Sequence, residues 1–219
     1  MSYDAIVFDV DGVLVEPADR ATLEEGVRRT FQSLDVPAPV DGHVEAMAIH
    51  VTVDAVRSIC AAYDLDPDAF WRERDRRSSE VQREAIRAGD KPLYDDVEVL
   101  DRLDHPKGLV SANQQATIDF VLEYFEFDGT FQTAYGREPG LDGLRRKKPD
   151  PHYLHRALSD LDADDALFVG DSESDVEAAH RAGVDAAFVR RPHRDGYELE
   201  PDPEYEVETL RALPDLVRS

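Results

Sequence analysis

The sequence predicts a doubly wound α/β domain with a helical domain inserted after its first strand. Short apolar runs, each followed by a glycine or a polar residue, have the length and composition of strands in a parallel sheet covered on both faces. They occupy residues 5–8, 108–110, 166–169 and 186–189. Helical patterns lie between these runs, and strands that alternate with helices are typical of βαβ units.

Two of the intervening segments have clear helical patterns. Ile118, Leu122 and Phe125 fall at helical spacing. Residues 172–182 form another helical pattern, which ends at Gly183, a residue type that commonly follows the last turn of a helix. The sequence therefore predicts a helix in each segment.

The region of residues 17–92 differs, because its apolar residues recur at helical spacing and no run has the pattern of a strand. Three groups predict a first helix, a second helix, and one or two more. They are Leu23, Val27, Phe31 and Leu34; Val44, Met47, Val51, Val56, Ile59 and Tyr63; and Phe70, Trp71, Val81 and Ile86. We expect a core of residues 1–16 and 93–219, an inserted domain of residues 17–92, and hinges near residues 16–17 and 89–92.

Two other segments carry no strong pattern. Residues 136–151 contain several glycines and prolines and are predicted to form a loop. The chain after Pro192 is rich in acidic residues and proline as far as Val207.

The composition limits the classes of partner. The chain has 219 residues and a formal net charge of -23 at pH 7, which repels DNA, RNA and anionic membranes and predicts no partner of these kinds. Four of its basic residues are lysines, at positions 91, 107, 147 and 148. Many carboxylates and few lysines suit a cell interior rich in salt, where self-repulsion is screened. We expect a halophilic microbe as the source, and an ordinary acidic protein is the alternative.

The sequence also indicates a compartment. The single cysteine, Cys60, lies in an apolar run and predicts a buried thiol, since neither an intramolecular disulfide nor a cysteine-rich metal site is possible. The N-terminus lacks the basic start of a signal peptide, and no apolar stretch approaches the ~20 residues that span a membrane. We expect a cytoplasmic protein, and its oligomeric state is left open.

Polar clusters lie at the ends of the apolar runs or in nearby loops, where ligand sites form in open α/β sheets. The first is Asp9-Val10-Asp11-Gly12. Two carboxylates two residues apart can converge on one pocket, one to attack phosphorus and the other to move a proton, and Gly12 permits an unusual backbone path. A pair of turn aspartates before a glycine is the alternative interpretation.

A second acidic cluster, Gly170-Asp171-Ser172-Glu173-Ser174-Asp175, lies at a predicted strand–helix junction. The hard oxygens of Asp171 and Asp175 suit Mg²⁺. An acidic turn that caps the following helix, favoured by the helix dipole, is the alternative.

Two weaker signals come from Ser111 and Lys148. The hydroxyl of Ser111, with nearby backbone N–H groups, can hold phosphate oxygens, whereas a helix N-cap is the alternative for Ser111 and for Asn113. Lys148 lies in the stiff run Lys-Pro-Asp-Pro and can neutralise charge on a nucleophile and on a transferring phosphoryl group. A solvated loop lysine is the alternative.

The order and strand-end placement of these clusters resemble the haloacid dehalogenase superfamily of phosphohydrolases. The four matches are Asp9-Val10-Asp11-Gly12 with its first motif, Ser111 with its second, Lys148 with its third, and Gly170-Asp171-Ser172 with Asp175 for its fourth. The resemblance covers nearly the whole chain and is nearest to phosphoglycolate-phosphatase-like members with a helical cap. It implies a Rossmann-like core, a cap of residues 17–92, and a Mg²⁺-dependent phosphatase that acts on a small-molecule phosphate ester.

The resemblance also implies a role for each matching residue. Asp9 is the nucleophile that becomes an aspartyl phosphate, and Asp11 is the general acid and base. The implied Mg²⁺ ligands are Asp9, the main-chain carbonyl of Asp11, and Asp171, with Asp175 in support. The implied phosphate-binding residues are Ser111, Ala112, Asn113 and Lys148.

Two positions depart from the family pattern, and other functions stay open. Val13 replaces a common threonine, and Ala112 replaces a common asparagine, for which Asn113 can compensate through a shifted loop. A sugar-phosphate mutase can use the same two aspartates and return the phosphoryl group to its substrate. A phospho-accepting signalling domain also combines aspartates, Mg²⁺ and a lysine in an α/β fold, but is usually shorter and has no helical insertion.

Overall fold

The computed structural model describes residues 3–218 and contains a six-stranded parallel sheet. The strands are β1 (Ala5–Phe8), β2 (Lys107–Gln114), β3 (Thr133–Arg137), β4 (Ala166–Gly170), β5 (Asp185–Val189) and β6 (Tyr205–Val207). Their order across the sheet is β3-β2-β1-β4-β5-β6. The fold is therefore the predicted doubly wound α/β arrangement, with β1 between β2 and β4.

The helices cover the sheet and form a separate group after β1. They are α1 (Arg20–Ser33), α2 (Asp41–Ala48), α3 (Val53–Ala61), α4 (Pro67–Ala88), α5 (Gln115–Tyr124), α6 (Leu141–Arg145), α7 (His152–Leu161), α8 (Glu173–Ala182) and α9 (Leu213–Leu216). The helices predicted around Ile118 and over residues 172–182 are present as α5 and α8. Gly183 ends α8 with a φ of 78°, as its position predicted.

Both faces of the sheet are buried, which explains why the central strands read as continuous apolar runs. Ile6 and Phe8 point into one hydrophobic cluster, with Ile118 of α5, whereas Val7 points into the opposite cluster, with Val176 of α8. All four residues of β1 are fully buried. A strand with two covered faces needs an apolar side chain at every position.

The helical segment, α1 to α4 over residues 20–88, has a third hydrophobic cluster of its own. Phe31, Met47, Phe70 and Trp71 belong to it. Leu144 of α6, which follows β3 in the sequence, also belongs to it. The single helix predicted over residues 44–63 is wrong, because α2 ends at Ala48 and α3 begins at Val53. The residues from Phe70 to Ile86 lie in one helix, α4.

Two segments predicted without regular structure contain some. Residues 136–151 are not entirely a loop, since they include the end of β3 and the short helix α6. The acidic tail after Pro192 contains β6. Cys60 is buried, as predicted.

The two connections to the helical segment run side by side. The backbone N–H of Glu16 donates to the carbonyl of Pro92 (2.9 Å), and that of Tyr94 donates to the carbonyl of Leu14 (3.0 Å). The chain therefore leaves and re-enters the sheet region at one place, beside the end of β1. Among residues 3–218, no helix is long and apolar enough to cross a membrane.

Candidate active site

The site lies at the carboxyl ends of the central strands. Asp9 follows β1, and Asp171 follows the neighbouring β4. Both line a cavity of about 440 Å³, together with Asp11, Ser111 and Lys148. Five side chains predicted from separate parts of the sequence therefore share one cavity, because neighbouring parallel strands end at the same edge of the sheet.

Lys148 lies at the centre of the charged groups. Its Nζ is 2.9 Å from Oδ1 of Asp9 and 2.6 Å from Oδ1 of Asp175, and it donates to the carbonyl of Val110 at 3.2 Å. Burial alone would lower the pKa of Lys148, but the charges of Asp175 and Asp9 outweigh burial and raise it above its usual value. Lys148 is therefore a buried side chain paired with two carboxylates, which excludes the solvated-loop alternative.

Asp9, Asp171 and Asp175 form an acidic cluster at this edge of the sheet. All three are buried, and each offers a carboxylate oxygen within 4.8 Å of the others. Burial raises the pKa of Asp9, with Lys148 opposing that shift. A bound divalent cation would further favour the ionised carboxylate, and a set of hard oxygen ligands fits Mg²⁺.

Two glycines allow the acidic cluster to pack closely. Gly12 has a φ of 80°, and a Cβ there would lie 2.2 Å from Oδ2 of Asp171. A Cβ on Gly170 would lie 2.2 Å from Cβ of Asp175. The glycines beside the two acidic motifs are therefore required by the close approach of the carboxylates.

The carboxylate of Asp175 is already well bonded. Its Oδ2 accepts hydrogen bonds from the backbone N–H groups of Asp171 (3.2 Å) and Ser172 (3.0 Å) and from the Ser172 hydroxyl (2.6 Å). Asp175 therefore closes the turn into α8, as the alternative capping interpretation expected, and also holds Lys148.

The tail beyond β5 places two side chains beside Asp171 that the sequence did not reveal. Nε2 of His193 lies 2.7 Å, and Nε of Arg194 3.0 Å, from Oδ2 of Asp171. Burial alone would raise the pKa of Asp171, but these hydrogen bonds and charges lower it below its ordinary value. Asp171 is consequently held as a carboxylate.

Asp11 faces a different set of partners. Its Oδ1 lies 2.5 Å from Nζ of Lys91, and its Oδ2 accepts from Nδ2 of Asn113 at 2.5 Å. Gln82 of α4 bonds to both Lys91 (2.9 Å) and Asn113 (2.8 Å). The carboxylate of Asp11 is outside the acidic cluster, so any contribution to a metal would come from its main chain.

The residues predicted to bind phosphate lie along the end of β2. Ser111, Ala112 and Asn113 all line the cavity. The N-cap of α5 is Gln114, which rules out the N-cap alternative for Ser111 and Asn113. The Ser111 hydroxyl instead accepts a hydrogen bond from the backbone N–H of Asn113 at 3.2 Å. Asn113 is engaged by Asp11 and Gln82 rather than pointing to an open position.

Comparison with known proteins identifies the family. A model of haloacid dehalogenase-like hydrolases matches residues 3–183. The chain belongs to this family. Among curated relatives of this hydrolase, the pyrophosphatase PpaX of Listeria welshimeri is 27% identical over 196 residues, which cover 84% of this chain and 82% of that protein.

Solved structures of similar fold agree with this assignment. CbbY from Rhodobacter sphaeroides, solved in complex with phosphate, has a TM-score of 0.72 and 20% identity over 96% of each chain. A predicted phosphoglycolate phosphatase from Haemophilus somnus has a TM-score of 0.64 and 19% identity, covering 98% of this hydrolase and 97% of that chain. The fold is therefore that of the haloacid dehalogenase superfamily, and the comparisons support an enzyme of the phosphatase type.

Proposed function

We propose that this hydrolase is a Mg²⁺-dependent phosphatase that acts on a small-molecule phosphomonoester through an aspartyl phosphate at Asp9. The observation that carries the proposal is the position of Lys148, whose ammonium group lies between Asp9 and Asp175. A fixed cation beside a carboxylate at the end of β1 suits in-line attack on a phosphoryl group, because phosphoryl transfer depends mainly on positioning and charge stabilisation.

In the first step, a carboxylate oxygen of Asp9 attacks phosphorus, and the bond from phosphorus to the ester oxygen breaks. Asp11 gives its proton to the departing alkoxide. In the second step, Asp11 accepts a proton from water, which attacks phosphorus and releases phosphate from Asp9. Lys148 and Ser111 hold the phosphoryl oxygens in both steps.

The acidic cluster would hold the cofactor. Asp9 and Asp171 provide carboxylate oxygens, the main chain of Asp11 provides a carbonyl, and Asp175 supports the arrangement through Lys148 and the turn into α8. When bound, Mg²⁺ offsets the repulsion between an anionic nucleophile and an anionic substrate.

The helical segment would act as a cap of residues 17–92. It supplies Gln82, Trp71 and Arg74 to the cavity that contains Asp9. A cap in this position excludes water from the reacting groups and contacts the part of the substrate that leaves.

The test is phosphate release from a panel of phosphomonoesters, with and without Mg²⁺, in low and molar KCl. We expect release that requires Mg²⁺ and disappears in Asp9→Asn. The matched control is Asp4→Asn, whose carboxylate accepts backbone hydrogen bonds beside β4, outside the cavity. If Asp9→Asn retains activity, the assignment of the nucleophile is wrong.

Three other functions are distinguished by the same experiment. The name of the relative PpaX makes inorganic pyrophosphate a necessary member of the panel, and preferred hydrolysis of it would replace the phosphomonoester. A sugar monophosphate that is isomerised without release of phosphate would indicate a mutase. A stable phosphoryl group on Asp9 without turnover would indicate a phospho-accepting signalling domain.

A further inference from the structure

One part of the cavity wall, outside the acidic cluster, carries positive charge. Trp71 and Arg74 of α4 line it, together with Lys147 from the loop after α6. We call these three residues the cationic wall. None of them belongs to the four motifs that place the reacting groups, and none follows a strand, so their chemistry is separate from that of Lys148.

Arg74 is buried without a carboxylate of its own. Its exposed fraction is 7%, and it donates to the main-chain carbonyls of Met47 (3.1 Å) and Ala48 (2.9 Å). The neighbouring Asp75 is 4.0 Å away and is bonded through both oxygens to Arg137, at 2.9 and 2.5 Å. One carboxylate thus serves two guanidinium groups, and a net positive charge remains.

Lys147 adds a second unneutralised cation. Its Nζ donates to the carbonyl of Val51 at 2.8 Å, and within the part of the chain that the structure describes no carboxylate lies within 4.0 Å of it. Burial and the charges of Arg137 and Arg74 lower the pKa of Lys147 to about 8. Lys147 and Lys148 are adjacent in sequence, yet one bonds to the helical segment and the other to the acidic cluster.

Trp71 carries a buried donor that has no partner among the described residues. Its exposed fraction is 1%, and its Nε1–H has no hydrogen-bond partner within residues 3–218. The guanidinium of Arg74 lies 4.7 Å from the centre of the Trp71 ring. A buried N–H without a partner is costly, and Trp71 lines the cavity beside Arg74.

These observations require an anion. Buried cations that outnumber the carboxylates beside them are unfavourable unless a further negative group joins them. They occur in a chain with a net charge of -23, where carboxylates are abundant, yet among the described residues Arg74 and Arg137 share the carboxylate of Asp75 and Lys147 has none within 4.0 Å. Three of the four lysines, at positions 91, 147 and 148, face either the cavity or Asp11.

We propose that the cationic wall binds a second anionic group of the substrate, a carboxylate or a phosphate, while the acidic cluster and Lys148 hold the phosphoryl group that is transferred. The inference rests on the proposed phosphatase function and narrows it to substrates with an anion at each end. Arg74 and Lys147 provide the charge, and Trp71 lines the cavity beside Arg74.

The first test compares three esters that share one carbon chain. Each has a phosphoryl group at one end and either a hydroxyl, a carboxylate or a second phosphate at the other, and inorganic pyrophosphate is added as the shortest double anion. Lys147→Gln retains a donor for the carbonyl of Val51 but removes the charge. The control is Arg146→Gln, an exposed neighbour that pairs with Glu138 and does not line the cavity.

We expect Lys147→Gln to lower kcat/KM for the doubly anionic esters by about tenfold and to leave the hydroxyl ester nearly unchanged. Arg146→Gln should match the wild type on all of them. The carboxylate and phosphate arms show which anion is preferred. Equal losses on every ester, or no loss on any, would overturn the proposal.

The second test does not depend on turnover. Trp71 is the only tryptophan of the chain, so fluorescence excited at the indole reports directly on the cationic wall. We expect saturable binding of the doubly anionic ester by wild type, by Asp9→Asn and by Arg146→Gln, and about tenfold weaker binding by Lys147→Gln. Binding without hydrolysis would contradict the proposed phosphatase and retain the anion site. Hydrolysis together with equal fluorescence titrations of wild type and Lys147→Gln would support the proposed phosphatase and contradict the anion site.

Discussion

The acidic cluster and the cationic wall, both in the same cavity, differ in how their charged side chains are paired. At the acidic cluster, every carboxylate has a cation within 3 Å: Lys148 for Asp9 and Asp175, and Arg194 for Asp171. At the cationic wall, Arg74 and Lys147 bond to main-chain carbonyls. In the acidic cluster each carboxylate is therefore paired with a cation. In the cationic wall, by our proposal, the cations are left for an anionic ligand to pair.

The difference explains how a very acidic protein would bind the anionic substrate that we propose. Its surface charge is diffuse and is screened by salt, whereas the cavity concentrates cations within a few ångströms of the bound molecule. A preorganised cation acts strongly there because water is excluded. The same comparison predicts which substitutions abolish turnover, which unfold the chain, and which alter selectivity alone.

The largest loss of activity is expected when Lys148, which pairs with the acidic cluster, is replaced. Lys148→Met removes the cation between Asp9 and Asp175 and leaves two buried carboxylates side by side. We expect kcat to fall by about 10²–10³-fold, the loss typical of one preorganised electrostatic contact. Lys107→Met is the control, since Lys107 bonds to the carbonyl of Leu103 outside the cavity. Wild-type kcat in Lys148→Met would show that the cation has no part in the reaction.

The cationic wall is expected to depend on Asp75 for stability. Asp75→Asn leaves the guanidinium groups of Arg137 and Arg74 buried without a carboxylate, so the free energy of unfolding should fall by about 3–5 kcal/mol. Denaturant unfolding monitored by the fluorescence of Trp71 measures this change in the free energy of unfolding. Asp54→Asn, on an exposed turn of α3 where the partner Arg57 is 3.9 Å away, should change stability by less than about 1 kcal/mol. A similar small change in Asp75→Asn would mean that Arg137 is adequately solvated.

The same contrast between regions explains what the sequence predicted. The four strands found from apolar runs, β1, β2, β4 and β5, are the central strands of the sheet, and the two that were missed, β3 and β6, are its edges. Edge strands are covered less completely and tolerate polar residues such as Glu206 of β6, which is exposed. A continuous apolar run therefore identifies a strand that is buried on both faces, and an edge strand lacks this signal although its backbone is equally extended.

The residues of the site also fall into two groups, those that the sequence predicted and those that it did not. Asp9, Asp11 and Asp171 follow central strands, so topology alone brings them together. Lys91 and Arg74 resemble ordinary surface charges in the sequence, because only the folded chain shows that Lys91 is fully buried against Asp11 and that Arg74 lines the cavity. The scarcity of lysine was the one available signal, since a residue type that the chain otherwise avoids is present where a contact requires it.

A smaller loss of activity is expected at Lys91, which holds Asp11. Lys91→Met removes the ammonium group 2.5 Å from Oδ1 of Asp11 and leaves Asn113 as its bonded neighbour. Because proton transfer in the proposed mechanism depends on the position of Asp11, we expect kcat to fall by about 10–100-fold, with a smaller change in KM. Steady-state kinetics on one ester, with the melting temperature measured in parallel, separates this from destabilisation. A lower melting temperature with unchanged kcat would assign Lys91 to stability alone.

The smallest effect is a change of selectivity with pH. Burial, together with Arg137 and Arg74, lowers the pKa of Lys147 to about 8, so its charge is present below that pH and is lost as pH rises through it. The ratio of kcat/KM for the carboxylate ester to that for the hydroxyl ester should therefore fall several-fold between about pH 7 and pH 9. Titrations common to both esters, including those of Asp9 and its neighbours, cancel in this ratio, and the carboxylate stays ionised throughout. In Lys147→Gln the ratio should be low and flat with pH. A wild-type ratio that is flat over this range would show that the charge of Lys147 does not contact the second anion.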